Sequence, residues 1–218
     1  MPRGPRIDYP GLLHYVIIRG IERKNIFETD PDKKDFLDRI EKVFKKSDAK
    51  IYAWVLMSNH AHLLIKIGKK PLSDIMRRLL TGYAISYNKR HKRAGYLYQG
   101  RYKSIVCEEE QYLLELVRYI HLNPVRAGIL RTIEELDKFR WTGHYNLIGN
   151  KEVKWQDTKE ILTRFGKSKK LAIKQYKEFI LDGIRQGKRE DLSGGGLIRS
   201  LGGIGKAMLV KGNNRQDV

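Results

Sequence analysis

The chain has 218 residues, 41% hydrophobic and 32% charged, so it can bury the core of one domain with an extension or of two small domains. Lysine and arginine number 44 against 25 acidic residues, and the formal net charge of +19 favours a polyanionic partner, nucleic acid rather than a membrane. No apolar run approaches the roughly 20 residues of a membrane span, and the sequence does not start with an apolar signal segment. Its single cysteine, Cys107, excludes an internal disulfide. We therefore expect a cytoplasmic protein.

Strands and helices are predicted to alternate in the first 125 residues or so. Strands are predicted at residues 12–19, 51–55, 60–67 and 102–106, and helices from Asp30 to about Lys46, from Pro71 to about Tyr87 and from about Glu109 to Leu122. The first helix has an acidic N-cap followed by proline, and the third begins with a run of glutamates that suits the positive end of a helix dipole. The second and third strands are either a hairpin or one long bent strand.

This order of elements, β-α-β-β-α-β followed by another helix, favours an α+β fold. We expect a ferredoxin-like antiparallel sheet with packed helices, plus a C-terminal helical extension. Residues 1–150 are predicted to form the main domain, and residues 151–192 a basic helical extension with two helices separated near Gly166. Residues 193–218 are rich in glycine and basic, and we expect a partly disordered tail there.

Two histidines in the third predicted strand are the first candidate functional residues. His60 and His62 are alternate residues, so a strand directs both side chains to one face, while Ala61, Leu63 and Ile65 face the other side. Two imidazoles on one face make half of a metal site. An ordinary strand with two polar residues on its wetter face is the alternative interpretation.

The third helix carries side chains that can complete such a site. On a helical wheel its apolar residues form one stripe, and Tyr119 and Asn123 lie one turn apart on the flank of that stripe. A tyrosine hydroxyl and an amide oxygen placed there can act as a nucleophile and a third metal ligand. The alternative is a tyrosine at the core boundary and an asparagine that caps the helix before Pro124.

Four segments resemble one known family. His60-Ala61-His62 resembles the histidine–hydrophobic–histidine motif of the HUH single-tyrosine transposases. The segment from Arg118 to Gly128, with the sequence RYIHLNPVRAG, resembles the tyrosine helix of their REP-associated branch. Residues 98–104 and 141–145 are similar to other segments of that branch, and the resemblance covers about residues 8–150 in the same order.

The resemblance implies a function for the whole chain. Residues 1–150 would be the catalytic domain of a transposase, a metal-dependent endonuclease and strand transferase that acts on hairpin-bearing single-stranded DNA through a 5′-phosphotyrosine. By position, Tyr119 would be the nucleophile, His60 and His62 would bind Mg²⁺ or Mn²⁺, and Asn123 would be the third ligand. The resemblance favours a monomer over a dimer.

Basic residues interleaved with aromatic ones are typical of a groove for single-stranded DNA. The candidate DNA-binding residues are Tyr98, Arg101, Tyr102 and Lys103 in one stretch, Lys89 and Arg90 at the end of the second helix, and Arg118 and Arg126 beside the tyrosine. The charged run at the end of the second helix is equally consistent with a solvated helix end.

Two other functions are compatible with the same elements. A ferredoxin-like sheet is also the architecture of RNA-recognition motifs, so a non-catalytic nucleic-acid-binding module is the main alternative. Such modules place exposed aromatic residues on the central strands, where this chain has His60 and His62. A metal-dependent phosphodiesterase that uses water would cleave the strand without forming a covalent adduct.

Overall fold

The computed structural model of the chain describes residues 8–107 and 109–185. Its strands are β1 (Leu13–Arg19), β2 (Lys50–Leu56), β3 (His60–Lys66) and β4 (Lys103–Cys107). Its helices are α1 (Asp30–Phe44), α2 (Leu72–Arg90), α3 (Glu109–His121), α4 (Asn123–Arg126), α5 (Ile133–Lys138), α6 (Gly143–Leu147), α7 (Thr158–Thr163) and α8 (Lys169–Arg185). None of the described helices combines the length and the apolar character needed to cross a bilayer.

The four strands form one antiparallel sheet in the order β2-β3-β1-β4. β2 and β3 pair directly and are joined by three residues, so they are a hairpin and not one bent strand. The predicted α+β class, with helices packed on an antiparallel sheet, is confirmed.

The sheet separates two apolar layers. One face packs against α1 and α2, and Val16, Ile18, Ala61, Leu63 and Ile65 point into that layer. The other face packs against α3, α6, α7 and α8, and the strand residues buried there include Leu13, Tyr15, Ala53, Val55 and Leu64. Because side chains alternate along a strand, His60 and His62 belong to the face that α3 covers.

The start of α1 is tied to the end of α2. Thr29 and Asp32 form a capping box, in which each side chain accepts a hydrogen bond from the other residue's backbone N–H. The Asp32 carboxylate is fully buried and also binds the side chains of Arg90 and His91. An ionic cluster centred on the buried Asp32 carboxylate therefore closes one end of the apolar layer under these two helices.

The C-terminal helices α7 and α8 pack into the layer that contains α3. The Tyr176 hydroxyl lies 2.8 Å from Nδ1 of both His121 and His144, which joins α8 to α3 and α6. A Cβ on Gly183 would lie 2.4 Å from Cδ of Arg118, so only glycine allows α8 to approach α3 this closely. The predicted pair of helices near Gly166 is present, whereas the tail expected at 193–218 lies outside the described residues.

Candidate active site

His60 and His62 lie side by side, with their ring centroids 4.9 Å apart. Both rings use Nδ1 for hydrogen bonding: Nδ1 of His60 lies 2.6 Å from Oδ1 of Asn59, and Nδ1 of His62 lies 2.7 Å from the hydroxyl of Tyr15. An amide oxygen only accepts hydrogen bonds, so Nδ1 of His60 carries the proton and Nε2 carries the lone pair. Ligating histidines are commonly oriented in this way, with one nitrogen held by a neighbour and the other facing the metal.

Both histidines are neutral at physiological pH. Burial, with a smaller contribution from the Arg19 charge, lowers the pKa of His60 to about 4. Burial also lowers the pKa of His62 well below its ordinary value, and the charges of His60 and Arg19 act in the same direction. Neutral imidazole is the form that binds metal ions, so these pKa shifts keep the pair ready for a cation.

Tyr15 connects the histidine pair to α3. On β1, Tyr15 is paired with Leu64 of β3, so His62 is its diagonal neighbour across the two strands. Aromatic side chains are long enough to make contact across such a diagonal. The ring of Tyr15 stacks on that of His62 with centroids 5.6 Å apart, and it meets the ring of Tyr119 edge to face at 6.2 Å. Tyr119 therefore lies on the sheet face that carries the histidines.

Tyr119 is half-buried on α3, and Arg126 lies over its ring with the guanidinium carbon 5.2 Å from the ring centroid. Burial raises the pKa of the Tyr119 hydroxyl, while the Arg126 charge and a side-chain hydrogen bond from Tyr15 lower it. The phenol is thus flanked by the two groups that stabilise its anionic form.

Asn123 adjoins Tyr119 and not the histidines. It is the first residue of α4, and its side-chain amide donates a hydrogen bond of 2.9 Å to the backbone carbonyl of Tyr119. Among the described residues, 8–107 and 109–185, no hydrogen bond or ring contact joins Asn123 to His60 or His62. The same residues contain no group of three His, Cys, Asp or Glu side chains that could hold a metal ion. The donor set that fits a metal here is therefore two imidazoles, with the other coordination positions left for oxygen ligands.

Two basic residues border this face of the sheet. Ile17 of β1 is paired with Lys103 of β4 on one side and with His62 of β3 on the other. The side chain of Lys103 is therefore on the same face of the sheet as His62, and the two residues are two strand spacings, or about 10 Å, apart. Arg19 is paired with His60 and is exposed. The segment containing Tyr98 runs beside the end of β1, next to Arg19.

The expected DNA-binding residues differ in exposure. Lys89, Arg101 and Lys103 are exposed, and Arg126 is half-buried beside Tyr119. Arg90 is exposed but forms ion pairs with Asp32 and Asp35.

The other three expected DNA-binding residues are partly or wholly buried. Arg118 is 5% exposed, binds Glu115 through both carboxylate oxygens at 2.7 Å and stacks on Phe179. Tyr102 is buried, and the half-buried Tyr98 donates its hydroxyl proton to the Leu80 carbonyl. Arg118 and Tyr102 are therefore placed as packing residues.

Sequence reasoning missed Tyr15, Arg19 and Asn59. Arg19 and Tyr15 are ordinary members of a strand, and they reach the site only through the register of β1 against β3. Asn59 directly precedes His60 in the hairpin turn, and a polar residue next to a candidate ligand is the one signal that a sequence search could have used.

Two solved structures align with this chain, and the first of them has a similar fold. A solved structure described as a REP-associated tyrosine transposase bound to a REP hairpin aligns with a TM-score of 0.56 and 15% identity, over 72% of this chain and 98% of that chain. A candidate transposase from Deinococcus radiodurans R1 aligns with a TM-score of 0.38 and 17% identity, over 55% of this chain and 95% of that one. No curated protein sequence matches the chain.

The family comparison covers the part of the chain that holds the site. Residues 10–123, just over half of the chain, match the family described as "Transposase IS200 like". The matched span includes the histidine pair, Tyr15 and Tyr119, and it confirms the kind of family that the motifs indicated. The chain belongs to the family of IS200-like transposases.

Proposed function

We propose that this transposase cuts and rejoins single-stranded DNA through a 5′-phosphotyrosine formed on Tyr119, with Mg²⁺ or Mn²⁺ held by His60 and His62. The observation that carries the proposal is the position of Tyr119, which meets Tyr15 edge to face while Tyr15 stacks on and hydrogen-bonds to His62. A nucleophile and a pair of neutral imidazoles thus share one face of the sheet.

The histidines would hold the metal through Nε2, and we propose the Asn123 amide oxygen as a third ligand. A bound divalent ion would supply a Lewis acid that polarises a phosphoryl oxygen and stabilises the departing 3′-oxygen. Imidazole suits Mn²⁺ better than Mg²⁺, whereas an amide and water oxygens suit both ions.

Tyr119 performs the covalent chemistry. Its hydroxyl oxygen attacks the phosphorus and loses its proton, the bond from phosphorus to the 3′-oxygen breaks, and that oxygen takes up a proton. The products are a free 3′-hydroxyl and a 5′-phosphate bound to Tyr119. For rejoining, a 3′-hydroxyl attacks the phosphotyrosine and Tyr119 regains its proton, so the energy of the phosphodiester is kept.

Positive side chains around Tyr119 assist this reaction. The Arg126 guanidinium over the ring stabilises the phenolate that forms when the hydroxyl loses its proton. Lys103 and Arg19 border the same sheet face and would bind the phosphates on either side of the scissile bond. Burial by itself would make the tyrosine a poorer nucleophile, so these charges are needed.

We propose hairpin-bearing single-stranded DNA as the substrate. The net charge of +19 supports a polyanionic ligand, and the exposed side chains of Lys89, Arg101 and Lys103 are the proposed phosphate contacts. Tyr96 is 84% exposed between these basic residues and offers a ring on which a base can stack. The similarly folded protein described as bound to a REP hairpin supports the hairpin as the recognised feature.

The test is to incubate the full chain with Mn²⁺ and hairpin-bearing single strands labelled at either end. We expect a denaturation-resistant adduct that contains the 3′-labelled fragment, while the 5′-labelled fragment is released with a 3′-hydroxyl. Tyr119→Phe should form no adduct. Tyr112→Phe, which removes a hydroxyl two turns earlier on the same helix, should form it normally.

Other outcomes point to other functions. An adduct formed by Tyr119→Phe would show that another residue is the nucleophile. Binding without cleavage would indicate a non-catalytic nucleic-acid-binding module, and metal-dependent cleavage without an adduct would indicate that water is the nucleophile.

A further inference from the structure

Two arginines near Tyr119 in the chain donate hydrogen bonds to the backbone of α8. Nη1 of Arg118, on α3, lies 3.3 Å from the Phe179 carbonyl oxygen, and Nη2 of Arg126, on α4, lies 3.4 Å from that of Gly183. Residues 179 and 183 are four apart in a helix, so they lie on the same side of α8. One edge of α8 therefore meets both arginines.

The two arginines do different things in this contact. Arg118 is 5% exposed and stacks on Phe179, with its guanidinium carbon 4.1 Å from the ring centroid, so it packs α8 against α3. Arg126 has its guanidinium carbon 5.2 Å from the centroid of the Tyr119 ring. The guanidinium that lies over the Tyr119 ring is thus the one that binds the α8 backbone at Gly183.

The contact requires glycine at position 183. A Cβ there would lie 2.4 Å from Cδ of Arg118 and 2.8 Å from Cδ1 of Leu122. Both atoms belong to buried side chains, which have little room to move aside. A larger residue at 183 would therefore push α8 away from α3 and withdraw the carbonyl that Arg126 binds.

We propose that Gly183 is a positioning residue for the transposition reaction, because its close approach to α3 lets the α8 backbone hold Arg126 against Tyr119. This inference rests on the proposed function, in which the Arg126 charge stabilises the negative charge that develops on the Tyr119 oxygen. It gives a task in the reaction to α8, which lies outside the residues that match the transposase family, 10–123.

Holding the arginine in place matters for the rate of the reaction. An arginine side chain has many rotamers, and a cation stabilises developing charge most when it is oriented beforehand. The hydrogen bond to the Gly183 carbonyl restricts the Arg126 guanidinium from one side, while the Tyr119 ring contacts it from the other. The α8 backbone thereby prepares the charge before the chemical step.

The first test measures the first turnover of adduct formation at saturating hairpin-bearing DNA with Mn²⁺. Gly183→Ala should form the adduct roughly tenfold more slowly than the wild type, as expected for loss of an oriented cation over the ring. Its affinity for DNA should stay within about twofold of the wild type, because the proposed phosphate contacts Arg101 and Lys103 are unchanged.

Ala172→Gly is the matched control, with the same two residue types exchanged in the opposite direction. Ala172 is 1% exposed on the same helix, about three turns before Gly183. The substitution weakens α8 without approaching Arg126. This variant should form the adduct at the wild-type rate under conditions in which denaturant titration shows that both variants are folded.

A double-mutant cycle separates positioning from a general effect on the fold. Arg126→Gln should also slow adduct formation roughly tenfold. Adding Gly183→Ala to Arg126→Gln should slow it by no more than about twofold further, because both changes remove the same interaction. Independent effects would instead multiply to roughly a hundredfold.

NMR of the full chain labelled with ¹³C,¹⁵N-arginine gives a readout without DNA or activity. The ring current of Tyr119 should shift side-chain proton resonances of Arg126 upfield. These resonances are assigned by their loss in Arg126→Gln, and their upfield shift should disappear in Tyr119→Leu. The shift should also be lost in Gly183→Ala and retained in Ala172→Gly.

A compensating variant covers the case in which Gly183→Ala does not fold. Removing the Arg118 side chain makes room for a Cβ at position 183, so α8 can approach α3 again. The double variant Arg118→Ala, Gly183→Ala should therefore match Arg118→Ala alone, both in the rate of adduct formation and in the upfield shift of Arg126. A folded double variant without that shift would overturn the proposal.

The proposal is also overturned if Gly183→Ala keeps the upfield shift of Arg126 or the wild-type rate, or if its effect multiplies with that of Arg126→Gln. Failure of the proposed function has a separate signature, an adduct that forms in Tyr119→Phe. The resonances of Arg126 in the DNA-free protein do not depend on that outcome.

Discussion

At the scale of single residues, the site depends on which nitrogen of each imidazole is exposed to a ligand. Asn59 accepts the Nδ1 proton of His60, and its own amide donates to the backbone carbonyl of Arg23, so the amide is held from both ends. The hairpin turn between β2 and β3 thereby fixes the orientation of the His60 ring. Such partners of ligating histidines commonly contribute tenfold to a hundredfold to metal affinity.

Asn59→Ala should therefore weaken the binding of Mn²⁺ by roughly tenfold to a hundredfold, since His60 is then free to rotate and to change tautomer. Isothermal titration calorimetry on the DNA-free protein measures this directly. Asn150→Ala is the control, because Asn150 also donates its amide to a backbone carbonyl, that of Asp137, but on an exposed loop. Equal Mn²⁺ affinity in the two variants would show that Asn59 does not orient the ligand.

At the scale of secondary-structure elements, Asp32 joins α1 to α2. Burial acts to raise the pKa of its carboxyl, but hydrogen bonds from His91, Thr29 and Arg90 outweigh burial and lower the pKa below the ordinary value. A carboxyl with a lowered pKa stabilises the fold above its unfolded pKa, near 3.9, and loses that contribution as the pH falls through the folded value.

Asp32→Asn should lower the free energy of unfolding by about 2 to 3 kcal/mol at pH 7, because the buried Asp32 side chain loses its charge-assisted hydrogen bonds with Arg90 and His91. The difference between wild type and variant should shrink as the pH falls below about 4. Chemical denaturation over a range of pH measures both effects. Asp38→Asn removes an exposed ion pair with Lys34 and should change stability by no more than about 0.5 kcal/mol. A difference that stays constant to pH 2 would contradict this explanation.

At the scale of the whole molecule, the C-terminal helices complete the layer that holds α3. Ile161 and Leu162 of α7, and Ala172, Tyr176 and Ile180 of α8, are buried in the apolar cluster that includes the inner face of α3. The helices predicted as an extension thus cover the helix that carries Tyr119. Their removal would expose apolar side chains of the main layer to water.

A chain shortened to residues 1–150 should accordingly lose cooperative unfolding and bind a hydrophobic dye such as ANS. A chain of residues 1–192 keeps α7 and α8 and should unfold like the full chain. Denaturant titration followed by tryptophan fluorescence distinguishes the two, because Trp54 lies in the sheet. Cooperative unfolding of the shorter chain, with the same midpoint, would show that α7 and α8 form an independent unit.

The charge of the whole molecule predicts how DNA binding depends on salt. Each phosphate contact with a single strand contributes roughly 0.7 to the slope of log affinity against log salt concentration. Arg101→Gln and Lys103→Gln should each reduce the slope by about that amount. Lys42→Gln removes an exposed charge from α1, on the layer away from the histidine face, and should leave the slope unchanged. Equal slopes in all three variants would exclude the proposed phosphate contacts.

Much of the fold was predictable because its signals are local. Strand alternation placed His60 and His62 on one face and their apolar neighbours on the other, and proline and acidic residues marked where α1 begins. The boundaries of α1, α2 and α3 agree with the predictions to within a few residues. The assignment of Asn123 and of the DNA-binding residues stays a prediction, since their proposed partners are a metal and a nucleic acid.

What the sequence alone determined is the chemistry that is present: a pair of histidines on one strand face, a tyrosine on the flank of a helix and an excess of positive charge. Helical and strand periodicity depend only on neighbouring residues, so one sequence suffices to read them. The tertiary structure decided which of these groups meet. The register of β1 against β3 brings Tyr15 to His62, and the packing of α3 brings Tyr119 to Tyr15. Both depend on contacts between residues distant in the chain, which no local pattern specifies.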